Sequence, residues 1–215
     1  MDPRFDVTIV RDGSILGARG AIDISDPNSQ DAIGKVNLRS TVTGYYLRKF
    51  LDTNINLSAQ TITSTYHYFP VIRLADIYLL YAEAMNEAYG PNDAADLGWT
   101  ALEALNKVRT RAGITVPYTT TSQTEMTKKI RNERRVELAF EDQRYFDLRR
   151  WKTAEKDLTQ PLMGFRIERQ DNGVVSTHEF VVDGQRKFNT KMYYSPIPYS
   201  EMQLNTNLVQ NPGWR

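Results

Sequence analysis

The sequence predicts a mainly α-helical fold with irregular loops and short peripheral β-strands. Two observations predict the helices: apolar residues recur at helical spacing in residues 70–112 and again in residues 123–151. A third observation predicts strands, because residues 165–169 (FRIER) alternate between apolar and polar side chains. Residues 171–173 (DNG) then form a turn signal that is typical of a β-hairpin.

A chain of 215 residues with 40% hydrophobic residues can bury a core as one large or two small domains. We interpret it as a single domain over residues 1–215. Its three regions are a loop and strand region, a helical core, and extended segments with a short C-terminal helix at Tyr199–Leu204. These regions cover residues 1–65, 66–151 and 152–215.

Residues 70–89 (PVIRLADIYLLYAEAMNEAY) give the clearest helix. Pro70 suits a first turn, and Gly90 suits the end of the helix. Nearly every position outside one polar stripe is apolar, so we expect this helix to be covered on most sides. Residues 98–112, capped by Gly113, form its partner. Two such helices joined by a short loop predict an antiparallel, tetratricopeptide-like hairpin.

Residues 123–141 and 142–151 predict two further helices, and the spacing of Ser122 and Glu125 fits a capping box. This part of the chain is rich in arginine and yet nearly neutral, since residues 131–150 contain six arginines and five acids. We therefore expect its charges to pair with one another and to brace packed helices. The same balance argues against an electrostatic footprint for a nucleic acid.

Three glutamates, Glu133, Glu137 and Glu141, lie at i,i+4 spacing on one face of the predicted helix. A glycosidase uses two facing carboxylates, so these residues are the catalytic candidates if the chain is an enzyme. We interpret them as structural ion pairs, because arginines flank them and pairing lowers a carboxylate pKa, whereas a general acid needs a raised one. Arg73 and Asp76, one helical turn apart, predict another partly buried ion pair.

The composition excludes several functional classes. A net charge of +1 gives no global field that would recruit nucleic acid or an anionic membrane. Cysteine is absent, and the two histidines, His67 and His178, lack the spacing of metal ligands, so we predict no metal and no cofactor. No apolar run approaches the roughly 20 residues that cross a bilayer. Residues 1–20 also lack the apolar core of a signal peptide.

Aromatic residues on the loops of the first third are the remaining candidates for a ligand site. Several tyrosines lie there, close in sequence to amide and carboxylate side chains. Such a set suits a sugar, because a flat ring covers its apolar face while polar groups bond its hydroxyls. We predict ligand-binding roles for Asp23, Asn28, Tyr45 and Tyr66. The alternative is that the tyrosines pack beneath the loops.

A series of short motifs runs through the chain in a fixed order. They are DPR at 2–4, TGYY at 43–46, IRLAD at 72–76, AEAMNE at 82–87, ALNKVR at 104–109, IRNERR at 130–135, DLRRW at 147–151, PIP at 196–198 and QNPGW at 210–214. In this order they resemble the SusD/RagB family, most strongly over residues 70–151 and 192–214.

The resemblance implies a mainly helical fold of tetratricopeptide-like pairs and a lipoprotein at the outer-membrane surface of a Gram-negative cell. Family members bind oligosaccharides or glycans and deliver them to a partner TonB-dependent outer-membrane transporter of the SusC type, without catalysis. The chain resembles the C-terminal part of such a protein, since the family's signal peptide and lipidated cysteine are not in it. Two alternatives stay open: a tetratricopeptide-like protein-interaction scaffold without sugar binding, and a glycosidase.

Overall fold

A computed structural model describes residues 1–34, 40–53 and 68–214, and it confirms a mainly helical fold. In chain order, helices α1 to α7 are Phe5–Thr8, Leu74–Tyr89, Ala101–Arg111, Gln123–Glu137, Gln143–Arg150, Ala154–Asp157 and Tyr199–Leu204. Strands β1 to β6 are Ile9–Val10, Ile15–Leu16, Gly20–Ala21, Tyr46–Leu47, Leu162–Arg169 and Val175–Asp183. Short 3-10 turns lie at Gly17–Arg19 and Thr190–Tyr193.

The contacts within the chain divide it into two compact units. One unit comprises residues 1–144 with 165–178, and the other comprises residues 145–164 with 179–215. The interpretation of the chain as a single domain stays a prediction.

The helical hairpin begins later than predicted on both of its helices. Helix α2 begins at Leu74 and not at residue 70, because Arg73 still has extended backbone, with φ −120° and ψ 151°. Helix α3 begins after Thr100, whose hydroxyl accepts the N–H of Glu103 while the Glu103 carboxylate accepts the N–H of Thr100. This reciprocal cap satisfies two backbone donors that the first turn leaves without a helical partner. Gly90 ends α2 as predicted, at a φ of 84°.

The third long helix ends earlier than predicted. Helix α4 stops at Glu137, and the backbone then turns through Phe140 and Asp142, both at positive φ (64° and 60°). L-residues rarely adopt this conformation and never continue a right-handed helix in it. Glu141 therefore lies in the turn before α5, so the prediction that all three glutamates share one helix face was wrong.

The β-structure of the described residues consists of two-stranded pairs. Strands β5 and β6 pair as a hairpin with Gly173 in its turn at φ 80°, as the sequence predicts. Strand β1 pairs with β4, and β2 pairs with β3, both antiparallel. At Gly44 (φ 84°) a Cβ atom would lie 2.0 Å from the carbonyl oxygen of Phe165, so only glycine permits this approach of the Tyr45 loop to β5.

Helices α2, α3 and α4 surround the main apolar core. Its fully buried members include Leu79 from α2, Leu105 from α3, and Met126 and Ile130 from α4. Smaller apolar clusters form around Val10, Ile22 and Ile24 in the first unit, and around Leu148, Ala154 and Phe188 in the second.

Helix α2 is not covered on most sides, contrary to the prediction. Leu74, Ile77 and Leu80 follow one another at helical spacing on its outer surface and are all exposed. The reason is geometric, because α3 and α4 both pack on the face that carries Leu79 and Ala82. Within the described ranges, no helix has the length and apolarity that a membrane span requires.

Candidate functional site

Charged side chains from distant parts of the chain converge on the C-terminal half of α4. We call this group the ion-pair lattice. Its acids are Glu133, Glu137 and Glu141, and its cations are Arg4, Lys49, Arg73, Arg109 and Arg111. All three carboxylates are buried, so each would be costly to leave without a cationic partner.

Glu137 is the centre of the lattice. Its Oε1 atom lies 3.0 Å from Nη1 of Arg73 and accepts a hydrogen bond from Nη2 of Arg111 at 2.6 Å. Its Oε2 atom accepts a hydrogen bond from Nη1 of Arg4 at 2.9 Å. Only 2% of the Glu137 side chain is exposed, so one buried carboxylate holds three arginines from three segments.

Glu141 connects the turn after α4 to the segment before α2. Its carboxylate accepts two hydrogen bonds from Arg73, from Nε at 2.7 Å and from Nη2 at 2.8 Å, and a third from the Lys49 ammonium. The two bonds from Arg73 form the bidentate geometry that gives strong, directional pairing. The ammonium of Lys49 also donates to the backbone carbonyls of Glu137 and Ala139, both at 3.1 Å.

Glu133 completes the lattice on the side of α3. One carboxylate oxygen accepts a hydrogen bond from Arg4, and the other accepts one from Nη1 of Arg109 at 3.3 Å. All six carboxylate oxygens of the lattice thus have a cationic partner. This arrangement confirms the interpretation of the three glutamates as structural ion pairs. The expectation that the charges of residues 131–150 pair with one another was wrong for these glutamates, because their cations come from other segments of the chain.

The lattice borders a cavity of about 420 Å³, but its chemistry does not suit glycoside hydrolysis. Burial alone would raise the pKa of Glu141, yet the hydrogen bonds from Arg73 and Lys49 outweigh burial and hold that pKa below its usual value. A catalytic acid in a glycosidase needs the opposite shift. The glutamates therefore support a structural role.

The prediction that Arg73 pairs with Asp76 was wrong. Arg73 turns to Glu137 and Glu141, whereas Asp76 accepts a hydrogen bond from Nη1 of Arg134 at 2.7 Å. Arg73 precedes the first helical turn, so the one-turn spacing that a helix would give this pair does not apply. The buried bond from Arg134 instead fastens the start of α2 to α4.

The low pKa of Glu141 predicts acid sensitivity. Between its folded and unfolded pKa values the unfolded chain binds more protons, so stability is present above the unfolded pKa of about 4.3 and is lost as the pH falls through the folded value. We expect the urea concentration at the unfolding midpoint to decrease as the pH is lowered from 6 to 3. Glu141→Gln should flatten this dependence, and an unchanged dependence in the variant would contradict the assignment.

Of the predicted sugar-binding tyrosines, Tyr45 is engaged by aromatic neighbours. Its half-buried ring makes edge contacts with Phe5 and Phe165, with centroid distances of 6.0 and 5.9 Å. This arrangement matches the alternative interpretation, in which loop tyrosines pack beneath the loops. Tyr66 lies outside the described residues.

The other two predicted ligand residues, Asp23 and Asn28, lie in one loop. Asn28 is exposed, and its backbone N–H donates to the Asp26 carboxylate at 2.8 Å. Asp23 accepts bonds from the Ser25 hydroxyl and the Asp26 N–H, both at 3.0 Å, and from Arg169 at 3.1 Å. Burial alone would raise the pKa of Asp23, but these bonds hold it below its usual value.

A groove of about 280 Å³ runs between this loop and strand β5. Ser25 and Arg169 line it, and both bond Asp23 at its edge. Ile24, Ile33 and Ile167 give it apolar walls. The structure therefore brings Asp23 to a concave surface of mixed polarity, while Tyr45 is not among the described residues that line it.

The sequence interpretation overlooked Trp99. Its side chain is 38% exposed, and its ring packs against Tyr78 and Tyr81 with centroid distances of 5.3 and 6.5 Å. The ammonium of Lys107 lies 4.1 Å from its ring centroid. The sequence does contain a local signal for it, because Trp99 lies between Gly98 and the helix-capping Thr100. A position just before a helix N-cap lies at the protein surface.

Comparison with known proteins places this architecture in one family. A model of the SusD family matches residues 1–214. The chain belongs to the SusD family. Among curated SusD-family relatives, SusD-like protein P25 of Formosa agariphila is 33% identical over 159 residues, covering 67% of this chain and 24% of that protein. SusD-like protein P2 of the same species is 31% identical, covering 70% of this chain and 26% of that protein.

Solved SusD-like structures share the fold. A SusD-like protein of Bacteroides fragilis superposes with a TM-score of 0.78 at 30% identity, covering 99% of this chain and 39% of that chain. A SusD-like carbohydrate-binding protein of the same species gives a TM-score of 0.75 at 27% identity, covering 97% of this chain and 41% of that chain. This chain thus spans about a quarter of its curated relatives and about two fifths of these structures. The resemblance read from the motifs is confirmed.

Proposed function

We propose that this SusD-family chain belongs to a non-catalytic cell-surface protein that binds oligosaccharides and delivers them to a TonB-dependent outer-membrane transporter. The observation that carries the proposal is the family match over residues 1–214. At the family level, SusD-like proteins bind carbohydrate without catalysis and are associated with the cell surface or outer membrane. The similar carbohydrate-binding protein of Bacteroides fragilis supports the same class of ligand.

The ion-pair lattice supports a binding role over an enzymatic one. Each of its carboxylates is held by arginine or lysine, so protonating or freeing one for chemistry would break a buried ion pair. These buried pairs stabilise the packing of α4 against other segments of the chain. We therefore propose that the lattice is internal bracing and not a reaction centre.

Within this chain we propose that the sugar-binding residues predicted from sequence act at the groove beside β5. The Asp23 carboxylate bonds Ser25 and Arg169, which line the groove, and Asn28 follows Pro27, another lining residue. A carboxylate and an amide both bond sugar hydroxyls well. Tyr45 contributes by holding its loop against β5, and Tyr66 stays a predicted contact. Affinity is expected to be modest, since each hydroxyl exchanges a bond to water for one to protein.

Titration of the 215-residue chain with a panel of oligosaccharides by calorimetry tests the proposal. We expect binding without release of reducing ends. Asn28→Ala should weaken binding about threefold to tenfold, which corresponds to one net hydrogen bond. Asn207→Ala, at another exposed loop asparagine, serves as the matched control and should leave the affinity unchanged.

A protein-interaction scaffold without sugar binding is the second candidate. The exposed aliphatic surface of α2, formed by Leu74, Ile77 and Leu80, favours it. Co-purification with a co-expressed transporter, combined with an absence of binding across the whole panel, would support the scaffold. Binding of an oligosaccharide without turnover supports the proposal, and turnover that Glu141→Gln abolishes would overturn it.

A further inference from the structure

Trp99, the residue before the N-cap of α3, is held at the protein surface by two tyrosines of α2. The hydroxyl of Tyr81 donates to the backbone carbonyl of Trp99 at 2.7 Å, and the ring of Tyr78 lies against the indole at an interplanar angle of 33°. The reciprocal cap between Thr100 and Glu103 fixes the next residues. Because backbone and ring are both held, Trp99 can offer a platform without a further cost in side-chain entropy.

A pocket of about 460 Å³ lies over this ring, and we call it the Trp99 pocket. It is lined by Trp99, Glu103, Asn106, Lys107, Thr110 and Arg111. The five residues of α3 in this group share one helix face by their spacing, while Ala104, Leu105 and Val108 occupy the buried face. The pocket is therefore a second concave surface, distinct from the groove beside β5, and it combines an exposed aromatic ring with polar groups.

The donors of the Trp99 pocket are mainly cationic. The Asn106 amide is already engaged, because it donates to the carbonyl of Tyr118 at 3.0 Å and accepts the N–H of Tyr118 at 2.8 Å. Glu103 accepts the cap bond from Thr100 at 2.8 Å. Lys107 is exposed, and 60% of the Arg111 side chain is exposed although it also pairs with Glu137. Two accessible cations thus face one acid that is already bonded.

The position of Lys107 selects between neutral and acidic ligands. Its ammonium covers the indole at 4.1 Å from the centroid, so a sugar that stacks there must displace it. A neutral sugar offers the ammonium only hydroxyl acceptors, which water supplies equally well, in return for the lost cation–π contact. An anionic group on the sugar restores its partner, because the flexible lysine stem can swing from the ring to the anion.

We infer that the Trp99 pocket binds an acidic oligosaccharide, with one sugar ring stacked on the indole and an anionic substituent held by Lys107 and Arg111. This inference rests on the proposed function and specifies its substrate class. Carboxylate and sulfate substituents share the chemistry that the two cations recognise, so both are tested.

The experiment compares three oligosaccharides of similar length by titration and tryptophan fluorescence: a uronate oligomer, a sulfated galactan oligomer and a neutral glucan oligomer. Wild-type chain should bind at least one acidic oligomer more tightly than the neutral one. Trp99→Ala should weaken that binding about tenfold, as expected for loss of an aromatic platform. Lys107→Met keeps the aliphatic stem and should weaken acidic binding about fivefold. Neutral binding should not weaken, because a neutral sugar no longer has a cation–π contact to displace.

Lys128→Met, at an exposed lysine of α4, is the matched control and should leave all three affinities unchanged. Thermal unfolding of each variant verifies that it is folded. If wild type binds an oligomer but Lys107→Met and Trp99→Ala bind it equally well, the pocket inference is overturned and the proposed function stands. If wild type prefers the neutral oligomer, the acidic class is overturned. If it binds none, both fail.

Discussion

Replacing Glu137 with glutamine should lower the free energy of unfolding by about 3 kcal/mol, a typical cost of removing one partner from a buried ion pair. The substitution keeps the shape of the side chain but removes the charge that neutralises Arg4, Arg73 and Arg111. Arg4 and Arg73 retain Glu133 and Glu141 as partners, which is why the lower end of the usual range is expected. Urea unfolding followed by circular dichroism measures the change.

Glu125→Gln supplies the matched control on the same helix. Glu125 pairs with Lys129 at 3.1 Å at the exposed start of α4, where solvent screens the pair. Its urea midpoint should stay close to that of the wild type. Equal midpoints for Glu137→Gln and the wild type would show that the lattice does not brace the fold. A bracing role without catalysis is supported if Glu137→Gln is less stable than the wild type and the wild type itself shows no glycan turnover.

The neutrality of the arginine-rich stretch could be predicted from sequence, but its partners could not. Counting acids and arginines in residues 131–150 indicated that the charges would pair. The cations that bond Glu133 and Glu137 include Arg4, which lies more than a hundred residues earlier in the chain. Sequence spacing predicts neighbours one helical turn apart, whereas tertiary packing selects partners from anywhere in the chain.

The error over Arg73 has the same origin. Asp76 is the nearest acid to Arg73 in this part of the sequence. Glu141, far away in sequence, accepts hydrogen bonds from the Arg73 guanidinium with both of its carboxylate oxygens. Two parallel hydrogen bonds in a buried setting outweigh a single contact along the helix. Which of the two forms depends on where the helix begins, and the backbone at Arg73 determines that.

Surface aromatic residues were the least predictable part of the candidate site. Tyr45 and Trp99 both flank polar stretches in the sequence, but Tyr45 lies between two rings while Trp99 borders an open pocket. The difference arises from Gly44, which lets the Tyr45 loop approach β5 closely. No periodicity marks such an approach, because it depends on a strand more than a hundred residues away.

The two adjacent leucines of α2 give the second large expected effect. Leu79→Ala should lower the free energy of unfolding by about 2–5 kcal/mol, since it removes a fully buried side chain between α2, α3 and α4 and leaves a cavity. Leu80→Ala should cost only about 1 kcal/mol, because 40% of Leu80 is exposed. The same measurement of urea unfolding serves both variants.

The comparison isolates burial from every other property of the substitution. Both positions are interior to one helix, so replacing leucine with alanine changes the helix propensity by the same amount at each. This contribution therefore cancels when the two variants are compared. Equal losses would mean that α2 is covered on the face of Leu80 as well, as its nearly continuous apolar sequence suggested. A clear difference would show that this face is open in the 215-residue chain. Because residues 74–85 are apolar on almost every side, only the packing of α3 and α4 determines which leucine is buried.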